Sequence, residues 1–326
     1  MLSRVGESIY WMARYIERAE NVARIVDANY HMILDLPSNV DEQWEPLVVT
    51  TGDDDLFKKY HDGFTRENVV HFLTFDPRNP NSILSCLQAA RENAKSVREW
   101  ISSDMWQQVN SFYLMLKDAS RRNGSIELPH EFFVETMLAS HLFTGLSENT
   151  MTHGEGWEFA RLGRMLERAD KTARIIDVKY FILLPSVEYV GMPYDHIMWA
   201  ALLRSASAFE MYRKRYGQIA PDQIIEFMLL DAAFPRAIHH CLITAEQALR
   251  NISGTKRGLF TNPAEKALGR LLADFDYTQL EEIKIFGLHE FIDSLQTRLN
   301  QIGSAIHESF FAIPVAPAAI QSQSRE

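Results

Sequence analysis

Ile16-Glu17-Arg18-Ala19-Glu20-Asn21-Val22-Ala23-Arg24-Ile25-Val26-Asp27-Ala28-Asn29-Tyr30 returns 150 residues later as Leu166-Glu167-Arg168-Ala169-Asp170-Lys171-Thr172-Ala173-Arg174-Ile175-Ile176-Asp177-Val178-Lys179-Tyr180. Eight of the fifteen positions are identical, and the charged ones persist alongside the apolar ones. A repeat at a fixed spacing decides the architecture before any local reading does. Apolar spacing survives in any duplicated helix. Charges kept at matching places need a further reason.

The correspondence runs outward from these segments. Gly6 and Arg14 match Gly156 and Arg164 in the same register, and Leu36-Pro37-Ser38 matches Leu184-Pro185-Ser186 as a stop. Further on the offset becomes 155: Trp44 with Trp199, Phe72 with Phe227, Asp76 with Asp231, Pro80 with Pro235, Cys86-Leu87 with Cys241-Leu242. The change places an insertion between Tyr180 and Trp199, in Val187 to Pro193. The chain therefore reads as a tandem duplication of ordinary domain size. Residues 1–150 form one helical repeat, 151–312 a second, and 313–326 a mobile tail.

The class is all-α. Ile16, Ala19, Ala23, Val26 and Tyr30 recur at helical spacing as one apolar stripe, and Leu166, Ala169, Ala173, Ile176 and Tyr180 repeat it. Glycine and proline are sparse, at 15 and 12 in 326 residues, and strand-like alternation is rare. The expectation is a duplicated helical bundle with a pseudo-twofold axis, the two copies of the long helix side by side near it. Further helices are expected near Trp44, Trp199, 68–75, 223–230, 129–147 and 286–311. Ser82 is read as the cap of a helix running through Cys86 to Trp100, with a new start at Ser102-Ser103-Asp104.

A net charge of −10 argues against a general nucleic-acid binder, which needs an electropositive face. The first helix carries Arg14, Glu17 and Arg18, so it is no secretory signal. No run approaches the roughly 18 apolar residues of a membrane span. The expectations are a cytoplasmic protein with no nucleic-acid and no membrane partner. Cys86 and Cys241 occupy equivalent places, which suits a duplicated packing position better than a disulfide.

On a helical wheel, with Arg14 at zero, the apolar stripe spans about 120–200°, and Glu20, Asp27, Arg24 and Glu17 follow at about 220–300°. The charged residues thus flank the buried stripe. Glu20–Arg24 is an i,i+4 pair and Arg14–Glu17 an i,i+3 pair; Asp170–Arg174 and Arg164–Glu167 repeat them. The candidate network comprises Arg14, Glu17, Arg18, Glu20, Arg24 and Asp27 with Arg164, Glu167, Arg168, Asp170, Arg174 and Asp177. It reads either as a lattice fixing how two helices cross or as a ligand site, with arginines gripping carboxylate or phosphate. Spacing alone favours the lattice.

Other chemistry is weakly signalled. Gly254-Thr255-Lys256-Arg257-Gly258 lacks the spacing of a phosphate loop. There is no HExxH, and the two Glu-x-x-His motifs of a di-iron bundle are not both present, so no metal and no cofactor is expected. His239-His240 and Glu67/His71 read as surface or satisfied core residues. Trp157 reads as a packing anchor or an aromatic lid.

The run His153-Gly154-Glu155-Gly156-Trp157-Glu158-Phe159, with Leu162-Gly163-Arg164 and Leu166-Glu167-Arg168-Ala169, resembles the hallmark of the bacterial alpha-E proteins. Leu2-Ser3-Arg4-Val5 and Tyr10-Trp11-Met12-Ala13-Arg14-Tyr15-Ile16-Glu17-Arg18-Ala19-Glu20 resembles that family's opening. The likeness covers the chain except its tail. It implies an all-helical protein that works beside a circularly permuted ATP-grasp protein, with transglutaminase-like peptidases as further company. The leading expectation is a non-catalytic helical partner of an ATP-grasp amide ligase acting on peptides or peptide-like metabolites. The alternatives are an enzyme of the same system using the Glu/Arg cluster, and a self-associating scaffold.

Overall fold

The first copy of the repeated segment lies within a single helix, α1 (Ser3–Asp35), 33 residues long. Its Ile9, Met12, Ala19, Ala23 and Val26 are fully enclosed along one stripe. The second copy lies within α8 (Glu155–Phe181), whose Leu162, Ala169, Ala173 and Ile176 are enclosed in the same way. The computed structural model describes residues 1–35, 42–122, 128, 130–181 and 193–312. The Leu36-Pro37-Ser38 and Leu184-Pro185-Ser186 stops, the Val187 to Met192 part of the insertion, and the tail lie outside the described residues.

Between and after the two long helices come α2 (Glu45–Thr51), α3 (Asp54–Tyr60), α4 (Arg66–Thr74), α5 (Ile83–Ser96), α6 (Ser103–Arg122) and α7 (His130–Thr150), then α9 (Pro193–Ser205), α10 (Phe209–Tyr216), α11 (Pro221–Leu230), α12 (Ile238–Ser253), α13 (Pro263–Tyr277), α14 (Leu280–Phe286) and α15 (Leu288–Ile306). A π-helical turn, His307–Phe311, closes the described chain. The protein is all-α, with no strand among the described residues.

α1 and α8 lie side by side and run the same way: Gly6 meets Phe159, Gly163 meets Tyr10 and Arg14, and Arg18 reaches Glu167. Alanine and glycine on the facing sides make this approach possible. A Cβ at Gly163 would stand 2.5 Å from the Tyr10 carbonyl oxygen, closer than any side chain tolerates. Around this pair the contacts are reciprocal. α1 packs on α5 and α7 as α8 packs on α12 and α15; α1 meets α9 as α8 meets α2; α5 and α7 rest on α6 as α12 and α15 rest on α13. Buried apolar residues from both parts of the chain join one core, beside a small group of Met32, Met198 and Ala201.

Local chemistry sets the ends that matter to the site. Ser82 caps α5 by accepting from the Ser85 amide. Gly52 ends α2 in the left-handed region, φ 79°, which glycine enters without a Cβ penalty. Trp44 stands just before α2 rather than inside a helix. The helix through Cys86 stops at Ser96, short of Trp100, because the Val97 amide folds back onto the Ala94 carbonyl; the restart is at Ser103, where the Ser102 hydroxyl accepts from the Met105 amide. The 286–311 segment is divided by Gly287 and by the change to π geometry.

Cys86 and Cys241 are free, buried and equivalent in detail. Each thiol donates to a proline carbonyl, Pro80 for one and Pro235 for the other.

Candidate functional site

The stripe positions on α1 and α8 bring Glu17 and Glu167 into the seam between them, and each carboxylate is taken by the other helix. Arg168 grips Glu17 with two parallel bonds, Nε to Oε1 and Nη2 to Oε2, both 2.8 Å. Glu167 accepts from Arg18 Nε at 2.6 Å and from Arg14 Nε at 2.8 Å. The expected i,i+3 pairs therefore give way: Arg14 turns to Glu167 rather than Glu17, and Arg164 reaches Glu148 at 3.1 Å rather than Glu167. A carboxylate removed from water gains more from a planar fork held across the seam than from a surface neighbour. The i,i+4 pairs do form, Arg24 Nη2 with Glu20 at 2.6 Å and Arg174 Nε with Asp170 at 3.1 Å.

The ends of the two helices are braced alike. Asp27 pairs with His130 at the start of α7, and Asp177 with His289 at the start of α15, the latter at 2.8 Å. Arg24 donates to the Ser207 hydroxyl, while Arg174 presses on Gly52, where a Cβ would lie 2.7 Å from its Nη1. Ser207 and Gly52 correspond at the 155 offset, and both have positive φ.

The two sets then diverge at one residue. In the set around Glu17, Arg236 enters from the turn before α12. It binds Glu20, Glu17 at 3.2 Å and Asn21 Oδ1 at 3.0 Å. Ser140 and His141 of α7 complete the shell of Glu20. In the set around Glu167, the position matching Arg236 holds Asn81, which accepts from Arg18 at 2.6 Å and donates to Asp53 at 2.8 Å. The shorter side chain leaves space. A cavity of about 820 Å³ opens there, bounded by Arg14, Arg18, Gly52, Asp170, Lys171 and Arg174, with Tyr10, Trp11, Leu299 and Phe311 on its apolar side.

Electrostatics fixes the charge of these groups. Burial would raise the Glu167 carboxyl, but Arg18, Arg14 and Lys171 hold it well below the ordinary carboxylate range. Glu17 is lowered against its burial by Arg168 and Arg236, Glu20 by Arg236, His141 and Arg24, and Asp170 by Lys171 and Arg174. Arg14 and Arg18 rise despite burial, through Tyr10 and Glu167 for the first and Glu167 for the second. Burial takes Arg236 down to about 10, still charged at neutral pH. Burial pushes both cysteine thiols up to about 12, so neither is a ready nucleophile.

Trp157 lies away from the cavity, buried with His153 stacked on it at 4.2 Å and the Arg161 guanidinium 5.2 Å from its ring. His239 is held by the Leu230 carbonyl and by Asp276; Glu67 and His71 are exposed. Asp27, His31 and His130 bring donor atoms within 4.8 Å of one another, a set of a type that can hold a divalent cation. Linear spacing hides it, because His130 arrives from another helix. Linear spacing equally hides the places of Arg236, Lys171, Asn81 and Gly52 in the site. The available signal was a difference between the copies: asparagine at 81 against arginine at 236, asparagine at 21 against lysine at 171.

Comparison with known proteins bears on this seam. The sequence model of the Alpha-E family, described as "a predicted alpha-helical domain with a conserved ER motif", matches residues 1–311. The Glu-Arg steps of this chain, Glu17-Arg18 and Glu167-Arg168, are the ones whose members exchange partners between α1 and α8. An uncharacterized protein of Mycobacterium bovis and uncharacterized proteins of two Mycobacterium tuberculosis strains are 22% identical over 95% of this chain. The chain spans 37% of the length of those relatives. No solved structure matches it.

Proposed function

This chain belongs to the Alpha-E family, and on that footing we propose that it is a non-catalytic helical partner of a circularly permuted ATP-grasp amide ligase, holding the acidic part of a peptide-like substrate in the cavity beside Glu167. The observation that carries the reading is the chemistry of the charged groups at and just behind the cavity wall. Arg14, Arg18, Glu167 and Asp170 are each driven away from neutrality in the direction that locks in charge. A general acid or base works best with a pKa near the operating pH, and a buried thiol at about 12 supplies no thiolate. Groups of fixed charge around an open volume suit recognition of an oppositely charged ligand. The relatives carry the matching region within a much longer chain, which supports a unit that works beside other domains. A transglutaminase-like peptidase remains a further proposed partner.

The test is co-purification of this protein with the products of neighbouring genes, followed by ATP consumption on acidic peptides with and without it. The expected result is a stable complex and peptide-dependent ATP turnover that rises when this protein is added. Amide formation or cleavage by this protein alone would move the enzyme reading to first place. A protein that neither binds the ligase nor changes its turnover would leave the scaffold reading.

A further inference from the structure

Resting on the reading of the cavity as a binding site, we infer that it takes a ligand with a doubly negative end, a phosphate monoester or two neighbouring carboxylates, joined to an apolar or amide body. The charge balance of the walls leads there. At the inner end of the cavity Arg14, Arg18, Lys171 and Arg174 stand against Asp170 and the enclosed Glu167 behind them, two more cations than carboxylates at that end. These cations are not at the surface: their side chains are 18, 16, 8 and 24% exposed. Like charges gathered out of water repel strongly, and two negative charges on a ligand in the space between them would offset that excess.

The matching set on the other side of the seam shows what fills such a space when the chain fills it. There the acidic and polar groups Glu17, Glu20 and Asn21 meet Arg236 directly. Around Glu167, Asn81 is too short to do this and is already tied to Arg18 and Asp53. Lys171, where the other copy has Asn21, adds a cation to the wall instead. Arg236 ties one set together, and among the described residues a cavity borders the other.

The lining also orients the ligand. Along α1 the cavity wall passes from Glu7 through Tyr10 and Trp11 to Arg14 and Arg18. Glu7 with His307, 3.6 Å apart, and the exposed Glu308 stand at the rim, where water screens them. The doubly charged end therefore lies toward Lys171, Arg174 and the Gly52 turn. The body lies against Trp11, Leu299 and Phe311. At about 820 Å³ the volume exceeds a lone phosphate and falls in the range of sites for small organic ligands.

Calorimetric titration of the full chain at low salt and pH 8 with four probes of shared aromatic body tests this: phenyl phosphate, N-benzoylglutamate, benzoate and benzamide. At least one of the two dianions should bind about tenfold more tightly than benzoate, with benzamide weakest, and added salt should erode the difference. Which dianion prevails identifies the source, phosphate or dicarboxylate. Lys171→Gln and Arg174→Gln should each weaken the preferred dianion by about tenfold, one charged hydrogen bond lost. Lys171→Arg should restore tight binding, and Lys256→Gln, at an exposed position outside the cavity, should change nothing. Melting curves of each variant separate loss of binding from loss of fold. Equal affinity for benzoate and both dianions, no binding of either dianion, or dianion binding untouched in folded Lys171→Gln and Arg174→Gln overturns the inference. The ligase reading fails separately: dianion binding without any complex or effect on ATP turnover would sink that reading and leave this one standing.

Discussion

Glutamine at position 167 keeps the shape of Glu167 and removes the charge that Arg14 and Arg18 share. Taking one member from a buried ion pair costs about 3–5 kcal/mol, and the partly wetted arginines place the loss toward the low end. Urea unfolding of Glu167→Gln should show a lower midpoint with an unchanged slope; an unmoved midpoint would show that the pair braces nothing. The same carboxylates set the acid limit. Glu17, Glu20 and Glu167 have folded pKa values below the ordinary 4.5. Their contribution is complete above that value and is lost as pH falls below 4.5 toward the folded values. Unfolding in acid should thus begin below about pH 4.5, and removing all three charges together should flatten that limb of the stability curve. Cys86 and Cys241, enclosed and with thiols pushed up to about 12, should react slowly with thiol reagents in native protein and fast in denaturant. At this scale the repeat marked which residues carry charge but not whom they meet, since Arg14 and Glu17 are neighbours on paper and belong to different clusters in space.

Glycine separates close approach from loose helix within single elements. At Gly163 an added Cβ would strike the Tyr10 carbonyl and ring at 2.5 and 3.1 Å, and a backbone atom cannot swing aside. Gly163→Ala should therefore push α8 off α1 and cost about 1–3 kcal/mol. At Gly145, inside α7, nothing lies within 4 Å of a built Cβ; Gly145→Ala should raise stability by about 0.4–1 kcal/mol by restricting the unfolded chain. Thermal unfolding of the two variants should move in opposite directions. Equal shifts would mean that the seam can open without loss. Helix periodicity makes α1 and α8 readable, whereas short elements such as α3, α10 and α14 carry too few turns to show a stripe.

Over the whole molecule the reciprocal contacts support a proposal that the chain arose by tandem duplication, with α1 and α8 astride the axis. The halves are not predicted to be independent. Glu17 takes Arg168 and Arg236 from beyond residue 150, and the core is continuous across that point. Residues 1–152 expressed alone should lack cooperative unfolding, and mixing with 153–326 should restore it. A fragment that unfolds cooperatively by itself would show two separable domains.

The sequence by itself determined the all-α class, the two long helices and the positions of their matched charges, because apolar spacing and helical pitch are local properties. Tertiary structure alone decided that Glu17 answers Arg168 and Glu167 answers Arg18, that His130 joins Asp27, and that a cavity opens beside Asn81. Those outcomes depend on how closely two parallel helices approach and on the reach of a single side chain from a distant turn. Asn81 stops short where Arg236 extends, and no spacing along the chain measures that distance.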